Sequence, residues 1–392
     1  MTGACATTAI FVLSTSVSAL AQPAMRTNAF TLGAVVQLDG RFGLVDPQDY
    51  VDDTVLLRRL RPIFQARLAR RFEFRLMPDF GNHTTAIFDA YVDVRLTPTI
   101  RIRVGKDKGP VGLERLYSGA SLLFPERTLV TNLVPNRDVG VQVQGELGGA
   151  LSYRAGLFHG VADVASTDLS AGFGNDFNGN MVVRPLSHSS STPWRNFGFA
   201  IGGTAGHASG TLPVYRSATQ QPFFEYAVDA TADGVQTRVS PSAFYYYRSF
   251  GAFSEYARSS EAVSRAGGIS DVTNTGWEVS GAVAVTGESV SERGIVPARP
   301  FSRSQHHWGA VEIAARYNRL RVDPLIFSRA LAAPSALGGA TAAGVAVHWF
   351  VTTSVKSVLS FERTTFDDSP HTHRPPENAL TFRLQLNLQP TL

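Results

Sequence analysis

The chain has almost no cysteine. Cys5 is the only one in 392 residues and falls in the N-terminal segment, so no disulfide can staple the rest, and stability has to come from backbone ladders and burial. Lysine is nearly absent too: Lys106, Lys108 and Lys356 are the only three, and every other basic residue that carries a fixed charge is an arginine. In water guanidinium stays protonated to high pH, and it offers a planar fork of donors to carboxylate and phosphate oxygens. The basic excess behind the formal charge of +4 and the pI near 9.3 therefore points to small oxyanions, nucleic acid or anionic lipid. Charged residues make up only 17 %. Beyond the N-terminus no run approaches the roughly 20 apolar residues of a membrane helix, which excludes a helical membrane protein. The N-terminal stretch TTAIFVLSTSVSALA, with the small-x-small pattern Ala19-Leu20-Ala21, reads as a signal peptide over residues 1–21, the alternative being a buried N-terminal strand. Export argues against a nucleic-acid partner.

What the chain does have is strict two-residue alternation. In LTFRLQLNL (380–388) every even position is apolar and every odd one polar, so a strand there has one greasy face and one wet face. TVLLRRLRPIFQARL (54–68) sets Leu56, Leu60 and Phe64 against Arg59, Arg61, Gln65 and Arg67. RFEFRL (71–76) sets Phe72 and Phe74 against Arg71, Glu73 and Arg75. AIFDAYVDVRL (86–96) gives a polar face of Asp89, Tyr91, Asp93 and Arg95, with Phe88 on the apolar one; Arg101 and Arg103 follow, then Gln142, Gln144 and Glu146. Continuing to the end predicts about sixteen strands, joined alternately by tight turns (97–99, 148–149) and long loops (107–136, 160–176, 207–233), with 288–305 long where a short turn is expected. That pattern is an antiparallel meander whose two ends face different surroundings, as in an outer-membrane barrel. Stacked arginines on neighbouring strands repel one another. A row of them is tolerable on the wall of a wet pore that attracts anions, with carboxylates such as Asp89 spacing the guanidinium groups. Trp194, Tyr245, Tyr246, Tyr247, Phe250, Trp349 and Phe350 lie where aromatic girdles belong.

The stretch VGKDKGPVGLERLYSGASLLFPERTLVTNLVPNRDVGVQV (104–143) resembles the phosphate-selective porin O/P family. It has a strand ending in Gly-Lys, a Pro-x-Gly-Leu-Glu turn at Pro110 to Glu114, the pair Glu126-Arg127, and Asn136-Arg137-Asp138-x-Gly140 opening the next strand. Arg58-Arg59-x-Arg61, Asp89-Ala90-Tyr91, GWEVSGAVAVTGE (276–288), GAVEIAARYNRL (309–320) and RLQL (383–386) extend the resemblance over the mature chain, 22–392. It implies an all-β, closed antiparallel transmembrane barrel of about sixteen strands, usually a homotrimer in outer-membrane lipid, with the third long loop (107–136) folded into the lumen as a constriction. It further implies passage of inorganic phosphate or similar small anions without a cofactor. Residues carried over are Arg58, Arg59, Arg61, Asp89, Lys106, Lys108, Ser118, Ser121 and Arg127; the alternating strands add Arg67, Arg75, Arg101 and Arg103. Strict alternation puts Arg58 on the lipid face unless a bulge turns it.

Other readings are a general or organic-anion porin on the same scaffold and a plugged structural or adhesive outer-membrane protein. Catalysis finds little support: His306-His307 and His371-x-His373 read as loop residues without a third ligand, AGFGNDFNGN (171–180) offers Asp176 as a weak calcium ligand, and no nucleophile elbow appears.

Overall fold

The computed structural model describes residues 28–44, 53–166, 176–370 and 372–389; the expected signal peptide and His371 lie outside them. The expected sheet is there, and it is closed. Its sixteen strands are β1 (Ala29–Gly43), β2 (Thr54–Leu68), β3 (Phe72–Asp79), β4 (Ala86–Thr97), β5 (Ile100–Asp107), β6 (Asp138–Leu147), β7 (Leu151–Phe158) and β8 (Asp176–Val183), then β9 (Phe197–Gly210), β10 (Thr231–Tyr247), β11 (Phe250–Arg265), β12 (Gly268–Ala284), β13 (Ala310–Arg321), β14 (Gly339–Phe350), β15 (Val355–Asp367) and β16 (Glu377–Leu388). Each pairs antiparallel with the next along the chain, and β1 pairs with β16. Strands β1, β7 and β8 carry weaker alternation than the others, and β8 takes the second half of the glycine-rich stretch. Among the described residues no helix is long and apolar enough to cross a membrane.

Alternation places the two faces. On β1, Gln37 and Asp39 are fully buried while Phe30 is 75 % exposed and Leu32 70 %. Phe72, Phe74 and Leu76 of β3, Val141 and Val143 of β6, and Phe382, Leu384 and Leu386 of β16 are likewise exposed, their polar neighbours half-buried on β3 and buried on β6 and β16. Large apolar side chains outside and polar ones inside is the reverse of a water-soluble protein, and it is what lipid outside demands.

Two bulges correct the simple alternation. Gln37 pairs with Arg59 and Leu38 with Leu57, so Arg58 is the extra residue on β2. Arg58 thereby turns to the inner face, Leu56 joins it there opposite Asp39, and Val55 and Leu57 turn outward. The bulge is braced from the next connection: Asp79 accepts from the Leu60 and Gly81 amides (3.2 and 3.0 Å), and Gly81 packs where a Cβ would lie 2.6 Å from the Arg58 carbonyl oxygen. On β4, Met77 pairs with Asp89 but Pro78 with Ile87, so Phe88 is displaced inward rather than facing lipid.

Connections at the end holding Ala29 and Leu388 are short (69–71, 98–99, 148–150, 248–249, 351–354), which marks it as the periplasmic end. Two exceptions are long there, 184–196 and 285–309, while 266–267 is short at the opposite end. Most expected girdle residues sit at this periplasmic rim, with Trp194, Tyr245 and Phe250 in ring contact. Tyr246 and Phe350 do not: they pack inward against Val290, Ile295 and Ala310.

The largest apolar core lies on the inner side of β11–β14. Val130 and Leu133 of the β5–β6 connection meet Tyr215 and Phe224 of the β9–β10 connection and Leu331 and Leu337 of the β13–β14 connection, over Val263, Val272 and Leu320 of the wall.

Candidate functional site

The β5–β6 connection is fastened to polar side chains of many strands. A four-residue helix, α1 (Leu113–Leu116), has its first amides capped by a carboxylate from β11: Glu255 accepts from Leu113 N (3.1 Å) and Glu114 N (2.8 Å). Farther along, Gln37 Nε2 donates to the Gly119 carbonyl, Gln385 Nε2 to Ala120, His348 Nε2 to Leu123 and Arg383 to Pro125. Arg316 donates to the Glu126 carbonyl and Asn318 Oδ1 accepts from Leu129 N. Contacts to so many strands hold this segment in one conformation.

Most of the wall arginines are matched to carboxylates. Arg61 Nε donates to Asp79 (2.7 Å), Arg75 and Arg137 share Asp89 (3.1 and 3.0 Å), Arg103 forks onto Asp93 (2.7 and 2.8 Å) and reaches Asp107, and Arg67 and Arg95 share Glu73. Arg101 stands 4.0 Å from Asp93. Four guanidinium groups converge on one loop carboxylate: Glu126 binds Arg58 bidentately (2.5 and 2.9 Å) and Arg41 at 2.7 Å, with Arg59 and Arg383 at 3.7 and 3.6 Å. Burial pushes the Glu126 carboxyl up, but Arg58, Arg59 and Arg41 outweigh it and hold the group well below its usual range.

A second set has no carboxylate of its own. Among the described residues, Lys108 donates only to the Leu116 and Tyr117 carbonyls, Arg127 only to the Glu114 and Tyr117 carbonyls, and Arg115 to the Thr131 carbonyl and Asn136. All three line a single cavity of about 320 Å³ together with Arg58, Arg59, Arg61, Arg137 and Arg216, eight cations to the one carboxylate of Glu126. Phe88, turned in by its bulge, forms an apolar strip there between the guanidinium groups of Arg61 and Arg137, each 4.2 Å from the ring centre. Burial, followed by repulsion from Arg127, pushes the Lys108 ammonium well below its usual range, and the same two causes lower Arg115 to about 9. The cavity thus sets Lys108, Arg115 and Arg127, which no carboxylate pairs among the described residues, beside arginines whose carboxylate partners are Glu126, Asp79 and Asp89.

Of the residues expected from sequence, Arg58, Arg59, Arg61, Lys108 and Arg127 meet in this cavity. Asp89 stands behind it, orienting Arg137. Arg67, Arg75, Arg101 and Arg103 lie elsewhere on the wall in carboxylate pairs, and Lys106 is buried on β5. Ser118 and Ser121 line a separate cavity of about 400 Å³ with Tyr117, Arg154 and Arg184. Arg115, Arg137 and Arg216 are additions; Arg137 stands inside the Asn136–Gly140 motif and Arg115 directly follows the Pro110–Glu114 turn, which was the signal available. Asp176 does not offer a free cation site, because Arg238 lies 3.6 Å away. His373 is exposed and hydrogen-bonds Asp368, and His307 closes a hairpin with Ser302.

Lipid-facing grease, a closed even-numbered barrel and a cation-rich interior cavity define a bacterial outer-membrane porin. The chain belongs to the phosphate-selective porin O and P family, whose sequence model matches residues 30–388. No curated protein sequence matches it. Solved structures with the same fold include the outer-membrane channel DcaP of Acinetobacter baumannii (TM-score 0.59, 10 % identity, 92 % of this chain and 97 % of that one). Others are OmpT, an outer membrane protein of Vibrio cholerae (0.57, 9 %, 92 % and 97 %), and an anion-selective porin from Comamonas acidovorans (0.56, 10 %, 92 % and 99 %).

Proposed function

We propose that this porin passes phosphate or related oxyanions by diffusion along an arginine-lined path, with the segment 107–136 folded into the lumen as its constriction. The observation that carries the reading is the single cavity in which eight cations face one carboxylate. Hydrogen bonds from that segment to polar side chains of β1, β11, β13, β14 and β16 support its placement across the lumen. Lys108, Arg115 and Arg127 replace part of the hydration shell of an entering oxyanion, and charge-assisted, fork-shaped contacts offset the cost of dehydration. Glu126 and Asp89 keep the neighbouring guanidinium groups apart and temper the attraction. A permeating ion has to leave again, so moderate sites in series outperform a single deep one. The carboxylate-paired arginines 67, 75, 101 and 103 extend the positive wall beyond the constriction.

Residues 1–21 are read as the signal for export through the periplasm, and the mature barrel as one protomer of a homotrimer, in keeping with the trimer form of OmpT among the similar structures. A second reading, an organic-anion porin, draws on the cavity volume, which reaches the lower bound of small-molecule pockets, and on the apolar strip of Phe88. Single-channel recording of the purified protein separates the two. Anion-over-cation conductance whose chloride current is blocked by phosphate at lower concentration than by dicarboxylates supports the first reading; the reverse order supports the second. A cation-preferring, unsaturable current overturns both.

A further inference from the structure

The connection from β12 to β13 is twenty-five residues long (285–309) at the end of the barrel where two or three would suffice, and connections of that length are seldom without a task. Its first part packs under the periplasmic mouth, with Val290 and Ile295 buried. The remainder lies against the outer surface. Trp349 is on the outward face of β14, in line with the exposed Val345 and Val347, and its indole Nε1 donates to the Trp308 carbonyl (2.6 Å). Phe301 fits between the two tryptophan rings, edge-on to both, at 5.7 Å from Trp308 and 6.1 Å from Trp349. Its amide is fixed by the Val351 carbonyl (2.8 Å). Even so Trp308 stays 72 % exposed. Amphipathic rings displayed this way at the foot of a lipid-facing wall sit at headgroup level.

The charge of the segment is one-sided. From Arg293 to Ala310 the sequence has three arginines and no carboxylate. Arg299 and Arg303 stand two residues to either side of Phe301, both exposed, and neither is paired with an acidic group among the described residues. Most of the wall arginines meet a carboxylate; these two do not.

We propose that the aromatic–arginine segment around Phe301 is a binding site for anionic phospholipid headgroups in the membrane leaflet that faces the periplasm. Phe301, Trp308 and Trp349 supply the apolar seat in the upper acyl region, and Arg299 and Arg303 fork onto the lipid phosphate and its neighbours. The site is separate from the pore cavity and needs only that the barrel sit in the outer membrane with its short turns toward the periplasm.

The test uses the full chain reconstituted into mixed phosphatidylglycerol and phosphatidylcholine bilayers in which only one of the two lipids carries brominated acyl chains. The Trp308 signal is the difference between the protein and W308F. It should be quenched more strongly by brominated phosphatidylglycerol than by brominated phosphatidylcholine at equal mole fraction, with a preference of about fivefold for each arginine. R299Q/R303Q should bring the two lipids to parity while the half-saturating phosphate concentration of the channel stays unchanged. Equal quenching in the unaltered chain overturns the proposal on its own, as does a preference that survives R299Q/R303Q. Quenching of Trp308 by neither lipid also overturns it, since the segment then docks on something other than the bilayer, such as a cell-wall polymer.

Discussion

An arginine on the inner wall of a barrel either holds the wall together or offers charge to a passing ion, and what decides is whether a carboxylate already faces it. Arg103, forked onto Asp93 and touching Asp107, has the contacts of the first kind; Arg127, bonded among the described residues only to carbonyl oxygens, has those of the second. The two are expected to respond differently to the same change. Arg127→Gln should raise the half-saturating phosphate concentration about tenfold, the low end for losing a charge-assisted hydrogen bond in a wet site, with little effect on melting. Arg103→Gln leaves two carboxylates facing each other and should lower stability by roughly 3 kcal/mol with little change in phosphate titration. Conductance and thermal melting, measured on both variants, check the contrast.

The same cavity sets a pH dependence. Arg115 is lowered to about 9 and Lys108 well below its usual range, so each is charged below its folded value and loses its proton as pH rises through it, earlier than in the unfolded chain. The unfolded chain binds more protons in that window, so these groups make stability rise with pH there while anion attraction falls. Phosphate block measured at about pH 8 and about pH 10, where the anion stays doubly charged, should weaken at the higher value. An unchanged block would remove Arg115 from the ion's path.

At the scale of the element, alternation made the strands legible and the bulges illegible. A period of two assigns faces only while the register is unbroken, and the skip of one residue at Arg58 is written in the pairing of Gln37 with Arg59 and Leu38 with Leu57, which no single strand's sequence displays. The same holds for Phe88, whose apolar character argued for lipid and whose bulge brings it between two guanidinium groups. Arg115 and Arg137 were missed for a related reason: one stands on the single turn of α1 and the other on irregular backbone before β6, where no strand periodicity says which way a side chain points. The Arg58 bulge is a separate element with its own test. Gly81→Ala sets a Cβ against the Arg58 carbonyl and the Arg59 Cα, backbone atoms that cannot move aside cheaply. The expected result is a displaced bulge, loss of the Arg58–Glu126 contact and a weakened anion preference, read as a shift of reversal potential in a salt gradient. A reversal potential equal to that of the unaltered chain would mean that the bulge does not position the charge.

Over the whole molecule the barrel is lopsided. Strands β3, β5, β7 and β8 have 8 residues each, whereas β10 and β12 have 17 and β11 has 16. The cationic cavity lies toward the low wall, and the tall wall is lined by the apolar core built from three connections. The inner face of the tall wall also carries the buried carboxyl groups of Glu255 and Glu261 on β11 and Glu278 on β12, and its Arg238 on β10 is already held by Asp163 (2.5 Å), so the filled side is the poorer one for an anion. On the proposed anion path this core is the packing that would confine ions to the arginine side. Phe224 is its most enclosed aromatic with no polar atom, fully buried and stacked on Tyr215 at 5.2 Å. Phe224→Ala should cost about 3–5 kcal/mol of local packing, loosening the β9–β10 connection while the ladder of the barrel remains closed. Single-channel conductance should then rise and anion preference fall together, because the new path runs past Glu255, Glu261 and Glu278. A rise in conductance with undiminished anion preference would mean that ions never approach the tall wall.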